Sequence, residues 1–251
     1  MKITVLGCGS SGGVPLITGD WGGCNPNNPK NRRRRASILI QIAGKNILID
    51  TSPDLREQLL EAGVWDIDLV LYTHDHADHT GGIDDLRQIY MKTRHPVPVY
   101  ADTTTLNHLK KTYSYIFETL DDLYPAFLAG HEIEGIINFD TIQILPFLQH
   151  HGHCSSLGFR IGDFAYSTDL IDMPEESYHM LQGLKLWIVD CLRDEPHISH
   201  AHFEQTMRMI ERIQPERAIL THMTHSLDYD SLRSCLPPTI EPAYDGMVLE
   251  L

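Results

Sequence analysis

The chain has 251 residues, 42% hydrophobic and 22% charged, enough to bury a substantial core, and no run approaches the roughly 18 consecutive apolar residues of a membrane span. Its formal charge of −14 repels polyanions at long range and argues against general nucleic-acid binding and against an anionic membrane as a partner. Five scattered cysteines form neither a CxxC spacing nor a disulfide framework, and the opening MKITVLGCGSSGG breaks into glycines too early for a signal peptide, so a cytoplasmic location is expected.

Short β-branched or apolar runs between turn residues predict strands at KITVLG (2–7), SILIQIA (37–43), NILIDT (46–51), IDLVLYT (67–73) and VPVYA (97–101). Six more are predicted at IQILPF (142–147), LGFRIG (157–162), FAYST (164–168), KLWIVD (185–190), RAILTH (217–222) and MVLEL (247–251). Helices are predicted around 54–63, 82–93, 103–117 and 201–213, the last carrying Phe203, Met207, Ile210 and Ile213 at helical spacing. The strand-heavy order, with helices between strand groups, predicts an α/β layered sandwich: two sheets with helices on their outer faces. No linker, repeat or low-complexity tract interrupts it, so one domain over residues 1–251 is expected, with residues 118–140 a surface insertion.

The first loop, GCGSSG, formally satisfies a G-x-G-x-x-G dinucleotide fingerprint. Such a fingerprint must open a helix. The adjoining segment, GVPLITGDWGGCNPNNPKN, holds three prolines and four glycines in nineteen residues and cannot form one. The loop leads instead to NRRRRAS, Arg32 to Arg35. Four consecutive arginines cannot all face one way in an extended chain, but Arg33 and Arg35 share a side and could hold a phosphate bidentately.

Fifteen histidines are many for this length, and they cluster. In THDHADH, His74, His76, Asp78 and His79 stand within six positions directly after an apolar strand. One helix could not gather them on one face, whereas a loop at a strand's carboxyl end can. Imidazoles and carboxylates without thiolate suit zinc, manganese or iron. LQHHGH (His150, His151, His153), FAYSTD (Asp169) and RAILTHMTH (His222, His225) each put a further candidate ligand just past a predicted strand, where layered α/β proteins build their sites.

These residues resemble the metallo-β-lactamase superfamily: THDHADH matches its H-x-H-x-D-H signature, and the later His, Asp and His keep its order. Within it, NRRRRAS, DTSPDLR and HGHCSSLGFR are similar to the branch of the phosphoribosyl cyclic phosphodiesterase and ribonuclease Z. The resemblance implies an αββα sandwich holding two divalent ions, zinc or manganese. One would be bound by His74, His76 and His151, with His150 and His153 as rivals for the last place. The other would be bound by Asp78, His79 and His222, with Asp169 bridging and Asp50 beneath. Several cysteine ligands of a structural zinc found in the phosphodiesterase are not evident here, so none is expected.

The implied activity is hydrolysis of a small cyclic or nucleotide-like phosphodiester by a metal-bridging hydroxide, with Asp78 and His200 as catalytic residues, His200 serving as general acid. Arg33, Arg35 and Ser37 are expected at the substrate. Alternatives are ribonuclease Z-like tRNA processing, a thioester or lactone hydrolase, and a non-catalytic carrier of the same fold. A homodimer is expected from the frequency of symmetric dimers alone.

Overall fold

A computed structural model describes residues 1–119 and 125–251. The first sheet contains β1 (Lys2–Gly7), β2 (Ser37–Ile42), β3 (Lys45–Ile49), β4 (Leu69–Leu71), β5 (Val97–Ala101) and β6 (Leu128–Glu132). The second contains β7 (Ile137–Phe139), β8 (Ile142–His151), β9 (Cys154–Ile161), β10 (Phe164–Ser167), β11 (Leu186–Asp190), β12 (Arg217–Thr221) and β13 (Ile240–Pro242), after which β14 (Val248–Glu250) returns to the first sheet beside β1. The strands run β14-β1-β2-β3-β4-β5-β6 in one sheet and β13-β12-β11-β10-β9-β8-β7 in the other. Both sheets are antiparallel in one half and parallel in the other, the change falling at β3 and at β10.

The strand period of two sorts the side chains. On β2 and β3, Ile38, Ile40, Ile47 and Ile49 face the core between the sheets, while Leu39 and Leu48 face the helices outside. Those helices are α1 (Leu55–Ala62), α2 (Ala77–Thr80), α3 (Arg87–Thr93), α4 (Thr103–Thr112) and α5 (Ser114–Phe117); α6 (Glu175–Met180), α7 (Phe203–Ile213) and α8 (Tyr229–Cys235) belong to the second half. In α7, Met209, Ile210 and Ile213 bury one stripe in the second sheet's core. The strand β11, LWIVD, is buried at every position because helices and the facing sheet cover both its sides. Each such Leu or Ile side chain contributes roughly 1.5–3 kcal/mol. No helix among the described residues is long and apolar enough to cross a membrane.

The eleven predicted strands all form. Three more, β6, β7 and β13, form where none was predicted, and all three are sheet edges. The expected insertion at 118–140 is therefore corrected: it contains β6 and β7 and is the crossover between the sheets, while residues 120–124 of it lie outside the described residues.

Candidate metal centre

Every candidate ligand outside α2 stands at the carboxyl end of a strand. His74 and His76 come after β4, His151 ends β8, Asp169 comes after β10, Asp190 ends β11 and His222 comes after β12. Asp78 and His79 lie in α2, whose N-cap residue is His76. The β8–β9 hairpin settles which of three neighbouring histidines turns inward. Alternation buries His151 beside exposed His150, and His153 is exposed in the turn. Gly152 holds φ +61 there, and a Cβ on it would lie 2.8 Å from Cβ of Ser199. Glycine thus lets the 197–200 loop approach His151 closely.

Three groups of possible ligands result among the described residues, a small one of Asp190, His200 and His222 and two larger ones. His74, His76, His151 and Asp169 each offer an atom within 4.8 Å of the others, and so do Asp78, His79, Asp169 and His222. Asp169 belongs to both. Its Oδ1 lies 3.1 Å from Nε2 of His79 and 3.3 Å from Nε2 of His222, and its Oδ2 lies 3.8 Å from Nε2 of both His74 and His151. Nε2 of His74, His79 and His222 is buried without a hydrogen-bond partner, so these are approaches between ligand atoms rather than hydrogen bonds. Unpaired buried nitrogens are costly unless a cation takes their lone pairs. The donor set therefore fits divalent metal.

The surrounding hydrogen bonds orient the rings. Nδ1 of His79 donates to Oδ2 of Asp50 at 2.7 Å, and Asp50 also accepts from the Thr73 amide and hydroxyl, both at 2.8 Å. With its proton on Asp50, the Thr73 hydroxyl accepts from Nδ1 of His74 at 2.9 Å. Nδ1 of His151 donates to the Ser199 carbonyl at 2.8 Å. In all three rings Nδ1 is held by the protein and Nε2 turns to the other ligands, the orientation a metal ligand requires. Burial opposes charge on His79, but Asp169, Asp50 and Asp78 outweigh it and raise its pKa well above the ordinary range, so a metal would displace its Nε2 proton. Burial, with neighbouring charged imidazoles, holds His74 and His151 below the ordinary histidine range. Burial opposes charge on Asp169, but His222, His79 and His74 outweigh it and keep its carboxyl well below the usual range.

Beside the two sets, Nδ1 of His200 donates to Oδ2 of Asp190 at 2.9 Å, and its Nε2 lies 3.6 Å from Oδ2 of Asp169. Burial opposes the imidazolium, but Asp190, and then Asp169 and Asp78, push its pKa up to about 9. Asp50, Asp169 and His222 all take positive φ, at 62°, 54° and 58°. That conformation is uncommon for non-glycine residues, and three of the seven described residues that adopt it stand here.

The phosphate-binding assignments change. Arg33 is 2% exposed, and its guanidinium donates to the carbonyls of Thr224 and Leu227 at 2.9 and 2.7 Å, so it is committed to the chain itself. The buried Ser37 hydroxyl likewise donates to the carbonyls of Ile49 and Asp50. Neither is available to substrate. Arg34 pairs with Asp245 and Glu61, and Arg35 is partly exposed with Nε 3.0 Å from Asp54. The pairing β-bridges turn successive arginines to different sides, against different acceptors. Sequence reasoning missed Asp190 and Thr73. Asp190 carried the same signal as Asp50 and Asp169: an aspartate closing an apolar strand.

Residues 45–223 match the β-lactamase superfamily domain. A crystal structure of a new diphosphatase from the PhnP family is 36% identical, superposes with a TM-score of 0.92 and covers 99% of this chain and 96% of that one. A curated relative from Porphyromonas gingivalis, named octanoyltransferase, is 35% identical over 98% of this chain, which spans about half (51%) of that protein's length. The anti-Pycsar protein Apyc1 of Paenibacillus harenae is 27% identical over 82% of this chain and 90% of its own.

Proposed function

This chain belongs to the β-lactamase superfamily, in the branch of the PhnP-family diphosphatase, and on that premise we propose that it is a metal-dependent hydrolase of small phosphate esters, acting on a phosphodiester or diphosphate linkage. The observation that carries this reading is Asp169, whose two oxygens face separate histidine sets across one buried carboxylate. His74, His76 and His151 would hold one divalent ion, Asp78, His79 and His222 a second, with Asp169 shared. Zinc or manganese suits these donors. When bound, the two ions would polarise a phosphoryl oxygen and lower the pKa of a water.

The chain's own groups do the rest. Asp50 and Thr73 fix the rings of His79 and His74. Asp190 holds the proton of His200 at Nδ1 and leaves Nε2 turned to the ligand cluster, where its proton can pass to the departing oxygen. Of the arginine run we retain only Arg35 as a phosphate contact, because it is partly exposed and only its Nε is engaged. The net charge of −14 favours a small substrate over tRNA.

The test is hydrolysis of bis(p-nitrophenyl) phosphate and of a nucleoside diphosphate-linked ester by chelator-stripped protein, before and after manganese or zinc is added. Metal-dependent turnover of either supports the reading. No turnover with two ions bound rejects it. A second reading, hydrolysis of an acyl thioester by the same centre, draws on the octanoyltransferase name of the P. gingivalis relative. Since this chain spans half of that relative, the named activity can belong to the other half, and an octanoyl thioester in the same assay separates the readings.

A further inference from the structure

Arg33 is a fully buried cation whose two terminal nitrogens meet only neutral acceptors and whose Nε has no partner. Nη1 donates to the Thr224 carbonyl at 2.9 Å and to the Cys24 sulfur at 3.8 Å, and Nη2 donates to the Leu227 carbonyl at 2.7 Å. Its neighbours Arg34 and Arg35 each pair with carboxylates, whereas no carboxylate lies within ion-pair distance of Arg33 among the described residues. A guanidinium removed from water without a counter-charge is costly, so a chain that keeps one there depends on the geometry it imposes.

That geometry bears on His222. Thr224 and Leu227 bound a turn closed by the Leu227 amide on the Thr224 carbonyl, two residues beyond His222. On its other side the segment is tied by the Met223 amide to the Cys8 carbonyl at 2.9 Å and by the Ser10 amide to the Met223 carbonyl at 3.2 Å. His222 itself holds φ 58°, a conformation that persists only where neighbours impose it. The buried Asn31 adds a second tie, donating to Asp228 at 2.6 Å and accepting from the Tyr229 amide at 2.7 Å. The glycine-rich 20–31 loop and the 222–229 segment are thereby fastened by side chains arising next to one another.

We infer that Arg33 is a positioning residue for the metal centre: its planar fork, bonded to two carbonyls at once, holds the turn after β12 and so sets His222 against Asp169 and Asp78. The inference rests on the reading of His222 as a metal ligand. A lysine keeps the charge but lacks two coplanar donors and cannot span both carbonyls.

The experiment is a cobalt(II) titration followed by visible absorption, with metal counted after dialysis, on wild type, Arg33→Met, Arg33→Lys and His222→Ala. Wild type is expected to hold two ions per chain. Arg33→Met is expected to keep one and to bind the other at least tenfold more weakly, with an altered cobalt spectrum resembling that of His222→Ala. Arg33→Lys is expected between them. Two ions bound by Arg33→Met with unchanged affinity and spectrum would overturn the inference. Should Arg33→Met not fold, Arg33→Lys decides: wild-type affinity at both sites overturns it, and selective loss at one supports it. Fewer than two ions on wild type would instead remove the metal-centre reading, and this inference with it.

Discussion

Asp190 and His200 are joined by a 2.9 Å hydrogen bond that presents the opposite ring nitrogen of His200 to Asp169. A histidine so held is suited to protonate a leaving oxygen. The need for that proton depends on the leaving group. His200→Ala should therefore lower kcat on an alkyl phosphodiester by about 10²–10⁴-fold, the usual worth of a general acid, and on bis(p-nitrophenyl) phosphate far less. Equal losses on both substrates would assign His200 another role. Asp190→Asn should show the same leaving-group dependence in weaker form.

Asp50 should govern metal affinity rather than chemistry. It is completely buried and accepts three hydrogen bonds, one of them from Nδ1 of His79. Replacing such a supporting carboxylate weakens metal binding by about 10–100-fold. Asp50→Asn should show that loss in a competition titration with a chromophoric chelator, while kcat at saturating metal changes less.

Metal should stabilise the folded chain. The unpaired Nε2 atoms of His74, His79 and His222 are buried, and a ligand that binds only the native state adds about 4.1 kcal/mol at a thousand times its Kd. Thermal melting should show a higher Tm with zinc or manganese than with chelator. His74→Ala should shrink the difference.

A pH effect is expected away from the centre. Burial pushes Asp245 up to about 6, against the opposing pull of the Arg34 amide and guanidinium and of Cys8. The folded chain thus holds this proton more tightly than the unfolded chain, whose aspartates titrate near about 3.9. The stabilisation by protonated Asp245 is present in full below about pH 4 and is lost as pH rises through about 6. In urea unfolding with saturating metal, the stability of wild type relative to Asp245→Asn should fall over that interval and level off above it. A flat difference would contradict the assignment.

Arg35 supplies a test of substrate contact. Arg35→Ala should raise KM for a phosphodiester with little change in metal content. An unchanged KM would leave the whole arginine run structural.

The parts of this molecule legible in its sequence are those where local pattern and tertiary demand agree. Ile38, Ile40, Ile47 and Ile49 alternate because one sheet face is apolar, so their strands stood out. The strands β6, β7 and β13 did not: LAGHE lacks alternation, and INF and IEP alternate but are only three residues long, too short for a pattern to show, each being an edge strand specified by its one neighbour. Pro242 is tolerated there for the same reason. The histidine and aspartate sets were visible as groups at strand ends. His151 could not be chosen over His150 by alternation alone, because the buried face of β8 changes from Ile142 and Ile144 to Phe147, Gln149 and His151 across the half-buried Leu145 and Pro146. The arginines misled because direction in an irregular segment depends on partners far along the chain, Thr224 and Leu227 for Arg33 and Asp245 for Arg34.

The proposed chemistry depends on one carboxylate, Asp169, joining two metal sites. Anomalous diffraction at the metal edge, from crystals grown with saturating zinc or manganese, decides whether it does. Two peaks roughly 3.5–4 Å apart are expected, one against Oδ1 of Asp169 with His79 and His222, the other against Oδ2 with His74 and His151. A single peak, or two peaks that do not share Asp169, would contradict that arrangement.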